Sequence, residues 1–84
     1  MSDTTIRMYG ADWCGDCRRT KHQLDGLGVA YEYIDVAADE AAAQEAQRIA
    51  GRQNIPVVVY PDGSHHVEPS NPELQAKLEE LALV

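Results

Sequence analysis

The chain is poor in basic residues, in cysteine and in long apolar runs, and each shortage narrows what it can be. Seven Lys and Arg stand against 14 Asp and Glu, a formal net charge of -7. That balance disfavours general binding to nucleic acid or to an anionic membrane, both of which recruit basic surfaces. A solvated acidic surface is the expectation. No apolar stretch approaches the length of a membrane span. The start, Met1-Ser2-Asp3-Thr4-Thr5, has no basic region followed by an apolar run, so no secretory leader is expected and the cytoplasm is the expected compartment. There are only two cysteines, whereas a small secreted scaffold would carry more of them at wider spacings. No repeat, linker or low-complexity segment interrupts the 84 residues. With 44% hydrophobic and 25% charged residues, the composition is that of an ordinary globular protein. Residues 1–84 are expected to form one domain with a small core, and to act as a monomer. That size leaves no second domain for a separate substrate site.

What is present is concentrated in Trp13-Cys14-Gly15-Asp16-Cys17. In a reducing compartment a close cysteine pair is more often catalytic or metal-binding than structural. The loop it closes is so short that a permanent disulfide would constrain little of the unfolded chain. Its surroundings can be read from periodicity. Ile6-Arg7-Met8-Tyr9 alternates and ends at Gly10, a strand. A helix from about Cys14 to Gly26 follows, with Cys17, Thr20, Leu24 and Leu27 as its buried stripe. Val29 to Ile34 reads as a second strand. Asp35 and Asp39 are both candidate caps for an Ala-rich helix over Ala41 to Ala50, whose apolar face is Ala42, Ala46, Ile49 and Ala50 and whose terminator is Gly51. Ile55 to Tyr60 is a strand buried on both faces, Pro61-Asp62-Gly63 a turn, and Ser64 to Glu68 an edge strand. Asn71 as N-cap and Pro72 at the first helical position open a last helix lined by Leu74, Leu78 and Leu81. The order βαβαββα, with a right-handed βαβ unit, predicts an α/β fold: a sheet with helices on both faces.

The thiolate is the nucleophile in thiol chemistry, and a free cysteine with a pKa of about 8.5 is mostly protonated at neutral pH. A helix N-terminus stabilises negative charge. Cys14, at the helix start, is therefore the expected attacker, with Arg18 and Arg19 adding positive charge. Cys17, one turn in and more covered, is the expected resolving thiol. Gly15 permits close backbone approach. Asp16 is less expected, because its carboxylate disfavours a neighbouring thiolate and repels an anionic substrate; removing that charge in Asp16→Asn is expected to favour the thiolate. Asp16 pointing into water is the alternative. Trp13 is either a docking surface or a cover over the helix start. Ile55-Pro56 either adopts a cis bond and offers the Ile55 backbone to an extended substrate, or simply opens a strand in trans. His65 and His66 point to opposite faces of a strand and cannot readily share a metal. His22 lies on the first helix and is expected to be exposed. No metal ligand set is expected. Tyr9, Tyr31, Tyr33 and Tyr60 are expected to pack. Arg48 and Arg52 bracket the end of the second helix, where they complement its dipole.

The strand-Trp13-Cys14-Gly15-Asp16-Cys17-helix start, the Ile55-Pro56 element and the Pro61-Asp62-Gly63 hairpin together resemble the glutaredoxin branch of the thioredoxin superfamily, and within it the actinobacterial mycoredoxins. The resemblance spans nearly the whole chain. It implies a thioredoxin fold with a four-stranded mixed sheet flanked by three helices, a cis Pro56, Cys14 as nucleophile and Cys17 as resolving cysteine. It implies a cytosolic dithiol reductase acting on protein disulfides or on mixed disulfides with a low-molecular-weight thiol, mycothiol or glutathione, and with no tightly bound cofactor. A flavoprotein reductase is a further candidate partner. The resemblance also places Arg52-Gln53-Asn54 beside the site, where Arg52 would meet a substrate carboxylate. Ser70 and Asn71, at the last helix N-terminus, would bind polar or anionic groups. Two departures bear on the cosubstrate. Asp16 stands where glutaredoxins usually have an aromatic residue. Val67-Glu68-Pro69-Ser70-Asn71 replaces the Gly-Gly and polar pair that hold the thiol's carboxylate, and Glu68 is a poor neighbour for one. Two other readings use the same cysteines: a dedicated electron donor to one reductase, such as ribonucleotide reductase, and an iron–sulfur or metal module. In the module two thiolates are only half of a four-thiolate site, so a second chain or a bound thiol is required.

Overall fold

The computed structural model describes residues 5–84. Residues 1–4, which carry most of the no-leader expectation, lie outside the described residues. Seven elements follow in order: β1 (Ile6–Gly10), α1 (Gly15–Gly26), β2 (Tyr31–Asp35), α2 (Glu40–Ala50), β3 (Val57–Val59), β4 (His65–Val67) and α3 (Asn71–Glu80). The sheet order is β2-β1-β3-β4. β1 and β2 are parallel, with Ile6 opposite Tyr31 and Gly10 opposite Asp35. β3 runs antiparallel to both β1 and β4. This is the four-stranded mixed sheet with three helices that the sequence predicts.

Strand alternation decides the two faces. Ile6 and Met8 of β1 and Val58 of β3 point to one side, where Leu24 of α1 and Leu74 and Leu78 of α3 cover them. Tyr9, Val57 and Val59 point to the other side, against Ala46 of α2. The three valines of β3 are buried because helices cover both of their faces.

The ends of the elements differ from expectation in physically legible ways. Leu27 does not join the buried stripe of α1: it is the C-cap residue and 37% exposed. Val29 does not start β2, because its N–H donates to the Leu24 carbonyl as part of the helix exit. Between the two candidate caps, Asp39 caps α2, accepting from the N–H groups of Ala41 and Ala42. Asp35 instead turns the chain by accepting from Ala37 and Ala38. Gly51 ends α2 with φ +76, a left-handed conformation that glycine adopts without a Cβ penalty. The cap of α3 is Ser70, not Asn71. Ser70 Oγ accepts from the Glu73 N–H, and the Glu73 carboxylate accepts from the Ser70 N–H. This reciprocal box satisfies two helix-terminal donors at once. Ser-x-x-Glu over 70–73 was its sequence signature. Pro72 accordingly sits one position further into the helix.

Candidate active site

The turn between β1 and α1 brings the cysteines together. The Cys14 N–H donates to the Ala11 carbonyl, 3.1 Å, and Cys14 then adopts an extended conformation as the N-cap of α1. Its sulfur takes the place of a capping oxygen: the Cys17 N–H donates to Cys14 Sγ at 3.2 Å. The Cys17 amide therefore serves the neighbouring sulfur, where a helix of this register leaves an unpaired donor. Both cysteines are free thiols. Cys14 is half-buried and Cys17 is 1% exposed. Burial and the hydrogen bond with Cys14 push the Cys17 thiol up to about 12, opposed by the Ala11 N–H.

Facing the pair is the segment before β3. The Ile55–Pro56 bond is cis, and the Ile55 carbonyl oxygen lies 4.0 Å from Cys14 Sγ. Pro56 is buried and Ile55 packs partly against the α1 and α3 side of the core. Arg52, Gln53, Asn54 and Ile55 line one wall of a small pocket with Val36 and Gln47. Arg52 is exposed there. The segment is latched from the other side. Asn54 Nδ2 donates to the Glu68 carboxylate at 2.8 Å, and the Glu68 N–H donates to the Pro56 carbonyl at 2.8 Å. Glu68 has φ +52, which costs a non-glycine residue about 1 kcal/mol or more. The two hydrogen bonds hold it there. Sequence reasoning had Glu68 as a poor neighbour for a carboxylate but not as the residue that fastens the substrate-side loop.

The arginines expected to charge the thiol region are otherwise engaged. The Arg19 guanidinium pairs with Asp16 at 3.2 Å and donates to the Pro69 carbonyl at 3.1 Å. Arg18 donates to the Asp12 carbonyl at 2.7 Å. Asp16 thus neither points idly into water nor bears an unpaired charge. Arg19 joins it to the loop before α3, and Gln23 Nε2 donates to the Asn71 carbonyl at 2.9 Å. Gly15, Arg18, Arg19, His22, Gln23 and Asn71 line one shallow depression on this flank, so Asn71 and its neighbour Ser70 border the same surface as the start of α1. Trp13 is 72% exposed, so it is not a buried cover over the helix start.

The remaining candidates behave as packing and surface residues. Tyr9 and Tyr60 are buried. Tyr31 and Tyr33 donate to Asp25 and Asp12. His65 is exposed, while His66 meets the Tyr60 hydroxyl through Nδ1 at 2.8 Å. Arg48 pairs with Glu45. Among the described residues, no three His, Cys, Asp or Glu side chains cluster as metal ligands, and no helix is long and apolar enough to cross a membrane.

A helix start capped by a cysteine opposite a cis proline, on a four-stranded sheet, can be compared with known proteins. The glutaredoxin family model matches residues 6–66. The chain is 41% identical over 83 residues to mycoredoxin 1 of Corynebacterium glutamicum, covering 98% of this chain and 100% of that one. Among solved structures, the glutaredoxin of Archaeoglobus fulgidus superposes with a TM-score of 0.76 at 28% identity, covering 87% of this chain and 84% of that one. The glutaredoxin from Brucella melitensis gives 0.67 at 26% identity, over 96% and 84%. The family match spans the cysteine pair, the cis proline and the hairpin alike, and the chain belongs to the glutaredoxin family of thiol oxidoreductases.

Proposed function

We propose that the protein reduces protein disulfides, or mixed disulfides with a low-molecular-weight thiol, with Cys14 as nucleophile and Cys17 as resolving thiol. The unequal placement of the two sulfurs carries this reading: Cys14 caps the helix and receives the Cys17 amide at 3.2 Å, while Cys17 is buried one turn behind it. An amide aimed at a sulfur is a stronger partner for a thiolate than for a thiol. In the first step the Cys14 thiolate attacks the substrate disulfide. A bond forms between Cys14 and one substrate sulfur, and the other substrate sulfur leaves as a thiolate that takes up a proton. In the second, Cys17 gives up its proton and attacks Cys14 Sγ, releasing the second substrate thiolate. The substrate gains two electrons and the protein pair loses two. An external thiol, or a flavoprotein reductase, returns the pair to the reduced state. Ile55 and Pro56 form the wall against which an extended substrate lies, and Trp13, Arg52, Ser70 and Asn71 border it. A reducing compartment, the cytoplasm, is where such a cycle runs.

A thiol without carboxylates, such as mycothiol, suits the site better than glutathione does. The Glu68 carboxylate is held by Asn54 while the Glu68 N–H donates to the Pro56 carbonyl, so a negative charge stands at the cis-proline segment, and the chain carries a net charge of -7. Kinship with a mycoredoxin supports the same choice. The test is to reduce the oxidised protein in parallel with mycothiol, with glutathione and with a thioredoxin reductase system, each with its recycling enzyme and NADPH. Mycothiol is expected to be the most efficient, and equal or better recycling by glutathione overturns the choice. Cys14→Ser is expected to abolish reduction of a mixed-disulfide substrate. Cys17→Ser is expected to retain it only where external thiol completes the cycle. Full activity in Cys14→Ser would sink the assignment. The exposed Trp13 favours a second reading, donation of electrons to one docked protein such as a ribonucleotide reductase; Trp13→Ala would then weaken turnover of that partner without changing reaction with a small disulfide.

A further inference from the structure

Gly10 is the one described glycine that needs its missing side chain for reasons of space alone. The left-handed glycines are Gly28, Gly51 and Gly63. Gly10 instead lies within β1, opposite Asp35, in a conformation open to any residue. Glycine weakens a strand and often marks a close approach by another group. Here the group is the second thiol: a Cβ built on Gly10 would lie 3.0 Å from Cys17 Sγ, 3.2 Å from Cys17 Cβ and 3.4 Å from Tyr33 Cε1. Cys17 is 1% exposed and packed in the core with Ile6, Met8 and Leu24. It is closely packed on the core side, while its other side borders the cavity lined by Ala11, Asp12, Lys21 and Tyr33, the direction open to a displaced sulfur. The backbone of the next residue, Ala11, opposes the rise that burial imposes on the Cys17 thiol.

We propose that the Gly10–Ala11 backbone is the seat of the resolving thiol, and that Gly10 is a positioning residue for the second step of the reaction. This rests on the dithiol reading above. In that step Cys17 loses its proton, its sulfur bonds to Cys14 Sγ, and the bond between Cys14 and the substrate sulfur breaks. The departing substrate thiolate takes up the proton. A methyl group at position 10 moves Cys17 off the Ala11 amide and off its line to Cys14, while Cys14, held by its own cap, keeps its place. At such contacts the neighbour must give by a few tenths of an ångström, short of the misplacement of about 1 Å that costs on the order of 100-fold in rate.

The experiment is a single turnover of the reduced protein with a chromogenic aromatic disulfide, following the thiolate released. Attack by Cys14 releases the first equivalent and closure by Cys17 the second. Wild type is expected to show both phases. Gly10→Ala is expected to keep the rate of the first and to slow the second several-fold, by roughly 3- to 10-fold. Gly10→Ala combined with Cys17→Ala is expected to match Cys17→Ala alone, because the closest contact has gone and external thiol completes the cycle. Unchanged second-phase rates in Gly10→Ala overturn the proposal, as does equal slowing of both phases. A wild type that releases only one equivalent overturns the dithiol reading itself, and the role of Gly10 with it. If Gly10→Ala does not fold, recovery of folding in the double variant supports the seat. A double variant that also fails to fold shows that the glycine serves something other than the thiol.

Discussion

The two faces of the sheet are built from different material, and the chemistry belongs to one of them. Under α1 and α3 lie large, fully buried side chains: Ile6, Met8, Leu24, Val58, Leu74 and Leu78, with Cys17 among them. Under α2 the buried set is Tyr9, Ala46, Val57 and Val59. Cys17 is thus a core residue of the heavier face, so its position and protonation are bound up with folding. The lighter face has another task. α2 ends at Gly51, and the chain beyond it, through Arg52 and Asn54, leads to Ile55 opposite Cys14. A perturbation of the heavy face should change stability and sulfur chemistry together, whereas one of the light face away from the Gly51 end of α2 should change stability alone.

The largest expected effect comes from truncating the heavy face. Leu24→Ala removes a side chain with no exposed surface from beside Cys17, and such truncations cost roughly 2–5 kcal/mol. On the other face Ala46→Gly loses one methyl group and helix propensity, about 1 kcal/mol. Urea unfolding of the reduced variants measures both. Equal losses would break the contrast between the faces.

Alkaline stability is the next test, and its sign follows from Cys17. In the unfolded chain a thiol titrates at about 8.5; in the folded protein burial holds this one up to about 12. Between those values the unfolded chain has released a proton that the folded protein still holds. The unfolded state then binds fewer protons, so stability falls as pH rises. The contribution is whole below about pH 8.5 and is lost as pH climbs toward about 12. Tyrosines on both faces are also raised, but their ordinary titration is centred near about 10 and is slight below about 9. A decline that begins below that point is therefore the mark of Cys17. Unfolding of reduced wild type and Cys17→Ala between about pH 7 and about pH 9, below the tyrosine range, should show it in wild type only. The same decline in Cys17→Ala would assign it elsewhere.

The heavy face was more legible in the sequence than the contacts that tune it. Alternation in β1 and β3, the i,i+3/i+4 spacing of Cys17, Thr20 and Leu24, and the flanking Asp39 and Gly51 are local patterns, and they led to the fold and to the burial of Cys17 behind the more exposed Cys14. The partners of Arg19, Glu68 and Gly10 are 50, 14 and 7 residues away, and no periodicity encodes such meetings. Asp16 shows the cost. Read alone it is a charge that opposes a thiolate, but in the fold Arg19 takes it up and joins it to Pro69. The shift of the α3 cap from Asn71 to Ser70 is of another kind. Its signal, Ser70 with Glu73, was present in the sequence, and Pro72 drew attention away from it.

The smallest expected effect separates the two faces by function rather than by energy. Asp39 caps α2 and Ser70 caps α3, each accepting backbone N–H bonds at its helix start. Replacing such a cap by Ala costs about 1 kcal/mol, so Asp39→Ala and Ser70→Ala should lower stability by similar amounts. Their effects on catalysis should differ. Ser70 follows Pro69, whose carbonyl receives Arg19, and precedes Asn71, whose carbonyl receives Gln23. Fraying α3 there loosens the flank on which α1 and the cysteine pair rest. Asp39 lies at the far end of α2 from Gly51 and touches none of these groups. Turnover of a mixed-disulfide substrate, measured well below the unfolding transition of either variant, should fall in Ser70→Ala and hold in Asp39→Ala. An equal fall in both would mean that the two layers are coupled through the sheet and that the division of labour between its faces is wrong.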